Sequence, residues 1–175
     1  MYATMPFMDP VSHGLWGSIA FGRKSRKSFW TAFGFGFAPD LFSFGPFFVS
    51  TYLGLVSRPP LFGNINDAGW VPLYVHSLYK PTHSLIVFAI VFLLVWWLRR
   101  NPLWEMGAWP LHIIFDTFSH TRRFFPTPFL WPISDYTFDG WHWTDPWIYI
   151  PNVALLAILS LWFFVIKKKH AKRVV

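Results

Sequence analysis

The sequence contains no cysteine, which excludes disulfides and any thiolate-ligated metal site. Charge is also scarce. Only 13% of the 175 residues are Asp, Glu, Lys or Arg, against about 25% in soluble domains. Acidic residues are the rarer sign, 8 against 15 basic ones. A single water-soluble core is a poor fit to this composition, because 54% of the residues are hydrophobic and 22% aromatic. The stretch Met1 to Pro10 has no basic region followed by an apolar one, so no cleavable signal peptide is read there.

The net charge of +7 does not point to nucleic acid, since no nucleic-acid reading motif is present. The basic residues sit in short clusters beside apolar runs: Arg23 to Lys27, Arg99 with Arg100, and Lys167 to Arg173. That pattern anchors helices at a membrane surface, with membrane lipids as partners and the clusters on the cytoplasmic side. The expected fold is all-α: a polytopic helical membrane protein, one domain over residues 1–175, with about 4–6 membrane-embedded helices and ordered interfacial loops.

Trp147 to Ile166 is about 20 uncharged residues, enough for a ~30 Å hydrocarbon core. Thr82 to Leu98 is the second span, ended by Arg99, Arg100 and Asn101-Pro102. Leu103 to Ser119 reads as a kinked helix returning across the membrane, since Glu105, Pro110, His112 and Asp116 interrupt it. Asp9-Pro10 is a helix start, and the helix Pro10 to Gly22 runs into the first basic cluster. A short segment, Phe29 to Ala38, then leads to Pro39-Asp40. Leu41 to Val56 either crosses or lies at the interface, and Arg58 to Lys80 and Thr121 to Pro146 are interfacial loops.

At ~1.5 Å per residue, His13, Asp40, His83, His112 and Asp116 lie roughly 15 to 24 Å from their nearest basic clusters. They therefore share one layer, toward the outer face. An aspartate in a membrane segment is costly unless it is paired, solvated or bound to a cation. His112 and Asp116, at i and i+4, present an imidazole and a carboxylate on one helix face, and His120 continues that stripe. The donor set suits a divalent metal, zinc foremost, with manganese or iron as alternatives. His142 and His76 read as interfacial residues and His170 as solvent-exposed.

The ordered motifs Asp9-Pro10-Val11-Ser12-His13-Gly14, Pro39-Asp40, Pro81-Thr82-His83-Ser84 and His112-x-x-x-Asp116, followed by the proline-rich stretch Phe125 to Pro132, resemble the YdjM-like family of inner-membrane metal-dependent hydrolases. The resemblance spans roughly Asp9 to Trp147. It implies a helical membrane protein with a hydrolytic metal centre, His13, Asp40, His83, His112 and Asp116 matching its polar motifs. The same order is similar, more faintly, to helical zinc-dependent phospholipases C. The chain departs from the pattern at Lys80-Pro81, where an Arg-Gly-like pair is expected, and at His120 to Arg123, which replaces a glycine-containing turn.

The expectation is thus a hydrolase acting on an amphiphilic ester or phosphoester through metal-activated water. His83, His112 and Asp116 are its primary ligands, and His13 completes that sphere or holds a second ion. Asp40 and Asp116 are the catalytic carboxylates, Asp40 being either ligand or general base. Lys80, Arg122 and Arg123 are weaker candidates for an anionic headgroup. The rivals are a metal or proton transporter, which needs polar groups toward both faces, and a scaffold with an inert structural metal.

Overall fold

A computed structural model describes residues 10–56 and 71–163. The expected helix cap at Asp9, the loop start at Arg58, the basic cluster Lys167 to Arg173 and His170 lie outside the described residues, as does the end of the span expected to reach Ile166. Six α-helices and one 3-10 turn make up the described architecture: α1 Pro10–Phe21, α2 Arg26–Tyr52, α3 Leu73–Thr82, α4 Leu85–Arg99, the turn Trp104–Gly107, α5 Ala108–Ser119 and α6 Pro146–Leu161. No strand occurs among the described residues, and the one β-bridge, Thr121 with Phe124, is isolated. The all-α expectation holds.

Helix α1 begins on a proline, whose fixed φ suits the first helical position and whose missing N–H is not needed there. Helix α2 starts at Ser25, an N-cap in extended conformation whose Oγ accepts the Ser28 N–H at 3.0 Å. The sequence suggested a break at Pro39-Asp40, with a separate segment beyond it. Instead α2 is continuous through Pro39 and Pro46, and Asp40 is an interior helical residue rather than a cap. A proline inside a helix costs one backbone bond. Here neighbours on several sides, α1, α3 and α5, pack against both halves and hold the helix together. Beyond Tyr52 the chain turns through Gly54 at φ +72°, where a side chain would be strained.

The stretch expected to be a loop up to Lys80 contains α3, which ends at Thr82. The expected span from Thr82 starts later, because Ser84 caps α4 by accepting the N–H groups of Ile86 and Val87, both at 3.2 Å. His83 therefore stands in a 55° bend between α3 and α4. Ser84 also donates its hydroxyl to Trp131 O, and Leu85 N–H bonds Phe129 O at 3.0 Å. These contacts pin the proline-rich loop to the bend. Helix α5 begins at Ala108, not Leu103, and Pro110 produces no kink there, since it falls in the first turn where the N–H has no intrahelical partner.

The apolar core joins Phe44 and Phe47 of α2 with Val75 and Tyr79 of α3 and with Phe124, Phe125 and Trp143 of the loop. Residues 121–145 form no helix, as expected of an ordered loop, and the backbone of Gly140 to Trp143 bonds to Phe118, Ser119 and His120. Helix α4 has no buried residue, and Ile90, Leu93, Trp97 and Leu98 are exposed. Helix α2 is long and apolar enough to cross a membrane; α3 with α4 pass the same test only as one bent unit. One or two such candidates stand among the described residues, against the expected 4–6 membrane-embedded helices; α1 and α5 are 12 residues each, and α6 runs close to the end of the described residues.

Two close approaches set the packing of α1 on its neighbours. A Cβ on Gly36 of α2 would lie 2.6 Å from the carbonyl oxygen of His13, and one on Gly17 would lie 2.6 Å from Ala108 Cβ. Glycine at both points lets α1 approach α2 and α5 at backbone distance.

Candidate metal centre

Three parts of the fold deliver four polar residues to one point. Asp40 comes from the middle of α2, His83 from the α3/α4 bend, and His112 and Asp116 from successive turns of α5. One ligand atom from each lies within 4.8 Å of every other, and all four residues are buried. The two imidazole Nε2 atoms are 3.0 Å apart. Asp116 Oδ2 is 3.1 Å from each of them, while Asp40 Oδ1 is 3.5 Å from His83 and 3.8 Å from His112. A tetrahedral ion with bonds of ~2.0–2.1 Å needs ligand separations of about 3.3 Å.

The second ring nitrogens fix what the first can do. His112 Nδ1 lies 2.7 Å from the carbonyl of Gly36, and His83 Nδ1 lies 3.1 Å from the carbonyl of Tyr79 and 2.9 Å from Thr82 Oγ1. A carbonyl only accepts, so each Nδ1 carries a proton, and in the neutral ring each Nε2 then presents a lone pair inward. Such an outer partner is the usual way a ligating imidazole is oriented. Two lone pairs and two carboxylates then face one another in a buried space. A single proton between the imidazoles answers one contact of the set, whereas a divalent cation answers all four. The residues present therefore fit a metal ion on chemical grounds.

Of the expected ligands outside this set, His13 touches it through Asp116: its Nε2 is 3.1 Å from Asp116 Oδ1, and its ring lies on His112 with centroids 3.9 Å apart. All five residues expected in one layer are thus brought together. His120 Nδ1 is 4.0 Å from Asp116 Oδ2 and within hydrogen-bond distance of Tyr79 and Thr127. Lys80 lies 3.8 Å from the exposed Asp135, and Arg122 and Arg123 are exposed, Arg122 donating its backbone N–H to Asp139 at 2.8 Å. These three cations sit on the outer surface, not in the centre. His76 stacks on Phe125, and His142 pairs with Thr144 in a half-buried position where burial pulls its pKa below the usual value.

Tyr79 escaped the reading of the sequence. Its ring stacks on His83 at 3.6 Å, and its hydroxyl lies 3.0 Å from His120 Nδ1, 3.1 Å from Thr127 Oγ1 and 3.5 Å from Asp116 Oδ2. The available signal was its spacing, four residues before His83 on what is now seen as a helix. At the basic end of the molecule, Ser28 donates its hydroxyl to Glu105 at 2.6 Å. That bond, with the fields of Lys24 and Arg99, holds the Glu105 carboxyl below its ordinary pKa.

No family model matches the chain, and no curated protein or solved structure matches it significantly. The resemblance to YdjM-like proteins rests on the order of the motifs alone.

Proposed function

We propose that this chain is an integral membrane protein that binds a divalent cation through Asp40, His83, His112 and Asp116 and hydrolyses an amphiphilic ester or phosphoester. The observation that carries this reading is the buried convergence of four acceptor atoms with the imidazole protons turned outward. When bound, the ion supplies a more acidic water and polarises an ester or phosphoryl oxygen. Zinc suits the nitrogen and oxygen donors best, with manganese or iron as alternatives.

Asp40 is the most accessible of the four, its side chain 11% exposed against 1% for Asp116. It also borders a cleft of about 300 Å³, mouth included, between Pro10 and the α2 residues Phe37, Phe44 and Phe48. Asp40 is the charged residue of that lining, and the surface the cleft presents is apolar, suited to a hydrocarbon chain. An amphiphile fits this arrangement: its chain lies among the aromatic rings, beside the helix turn that carries Asp40. In this reading the basic clusters face the cytoplasm and the centre faces outward, Lys80, Arg122 and Arg123 standing at the headgroup level.

The deep burial of His83, His112 and Asp116 favours a second reading, an inert structural ion. Elemental analysis of purified protein, with hydrolysis of p-nitrophenyl acyl esters and bis-p-nitrophenyl phosphate measured with and without chelator, separates the two. We expect stoichiometric metal and chelator-sensitive hydrolysis in the native chain, and loss of both in a folded Asp116→Asn variant. Stoichiometric metal retained by that variant overturns the ligand assignment. Hydrolysis unchanged after complete metal removal overturns the mechanism.

A further inference from the structure

His13 is 2% exposed, and neither of its ring nitrogens has a hydrogen-bond partner. The oxygen it approaches, Asp116 Oδ1, is equally buried and equally unpartnered, although His13 Nε2 is only 3.1 Å away. Hydrogen bonds depend steeply on alignment. Two such atoms in contact without a bond stand side by side, each directed at a third point. Roughly nine in ten buried polar groups have a partner, so two orphans at one place indicate a ligand common to both.

The two oxygens of Asp116 say which ligand arrangement is meant. The rings of His13 and His112 touch, 3.9 Å between centroids and tilted by 33°. His13 Nε2 meets a different oxygen of Asp116 from the one that His83 and His112 meet, which makes two points of attachment. Cation pairs in hydrolytic centres are typically ~3.5–4 Å apart. Asp116 has an oxygen for each point: Oδ2 faces His83 and His112, and Oδ1 faces His13.

We infer that Asp116 bridges two divalent cations, the second held by His13 Nε2 and Asp116 Oδ1. This rests on the reading that Asp40, His83, His112 and Asp116 hold the first. Two adjacent cations can stabilise both the attacking and the leaving oxygen of an in-line displacement at phosphorus. Between the two ester classes, the pair selects a phosphoester, and its alkyl substituent occupies the cleft beside Asp40.

The test uses the full chain in detergent, stripped with chelator and titrated with Mn²⁺, followed by metal content and electron paramagnetic resonance. The expected result is two ions per chain with an exchange-coupled spectrum. His13→Ala, monodisperse and helical by circular dichroism, binds one ion and gives an isolated six-line spectrum. A native chain that saturates at one ion with the six-line pattern overturns the inference, leaving a water between His13 and Asp116. Two coupled ions in His13→Ala overturn it as well. Absence of any bound ion refutes the first site too, so the two failures are distinct. If His13→Ala does not fold, the native spectrum decides alone.

Discussion

Gly36 touches no cation, yet substituting it tests how the centre is positioned. Its carbonyl accepts from His112 Nδ1 at 2.7 Å, and an added Cβ would lie 2.6 Å from His13 O, 3.1 Å from His13 C and 3.2 Å from Gly14 Cα. All three obstacles are backbone, so no rotamer change relieves them. Ordinary contact begins near 3.4 Å, and the shortfall requires α1 to retreat from α2 by about 0.8 Å. Overpacking of this kind costs ~1–3 kcal/mol, offset by ~0.5–1 kcal/mol for replacing a helical glycine. The net expectation for Gly36→Ala is a loss of roughly 0.5–2 kcal/mol. Metal affinity is expected to fall ~10–100-fold, as when an outer partner of a ligand is disturbed. Gly34 is the control: it lies on the same helix, is exposed, and has nothing within 4 Å of its added Cβ. Gly34→Ala should leave affinity unchanged and raise stability by up to ~1 kcal/mol. The assays are competition with a chromophoric chelator and thermal unfolding in detergent. Equal metal affinity in the two variants would refute the claim that helix approach at Gly36 sets the ligand geometry.

Tyr79→Phe removes the hydroxyl shared with His120 and Thr127 but keeps the ring on His83. It is expected to cost ~1–3 kcal/mol through buried polar groups left short of a partner, read as a lowered unfolding temperature; an unchanged temperature would show the network to be incidental. At the other end, Ser28→Ala should raise the Glu105 pKa, because the hydroxyl hydrogen bond is the largest cause of its depression. The sign follows from the depressed folded value: the contact stabilises above the ordinary carboxylate pKa and is lost as pH falls through the folded one. Unfolding midpoints across acid pH should therefore diverge between native and Ser28→Ala protein only on the less acidic side, and identical profiles would count against the contact.

Much of the centre was legible because its logic is local. His112 and Asp116 are one helical turn apart, and burying such a pair among Ile113, Ile114 and Phe115 has a chemical rationale only with a partner. The helix ends were less legible. Pro39 reads as a terminator when neighbours are ignored, but the packing of α1, α3 and α5 on α2 overrides a single missing N–H. His83 was assigned to a helix start, and the Ser84 cap one residue later moved it into the bend, where its ring is free to turn inward. Tyr79 carried no signal as long as its surroundings were read as loop. A tyrosine near a membrane surface is ordinary, and only the helix beneath it reveals the i to i+4 relation to His83. The number of crossings was not legible, because apolar composition reports what a helix faces, not how far it reaches.

The placement of ligands along the chain also dictates an order of assembly. His13, Asp40 and His83 are synthesised before α5, which brings two of the four converging groups in a single element. Until that element arrives, Asp40 belongs to a long apolar helix with no imidazole from His112 and no neighbouring acid to share a charge with. Docking of Ala108–Ser119 is therefore the event that completes the cage, and a nascent chain stopped short of it carries Asp40 with His83 but without the other two groups.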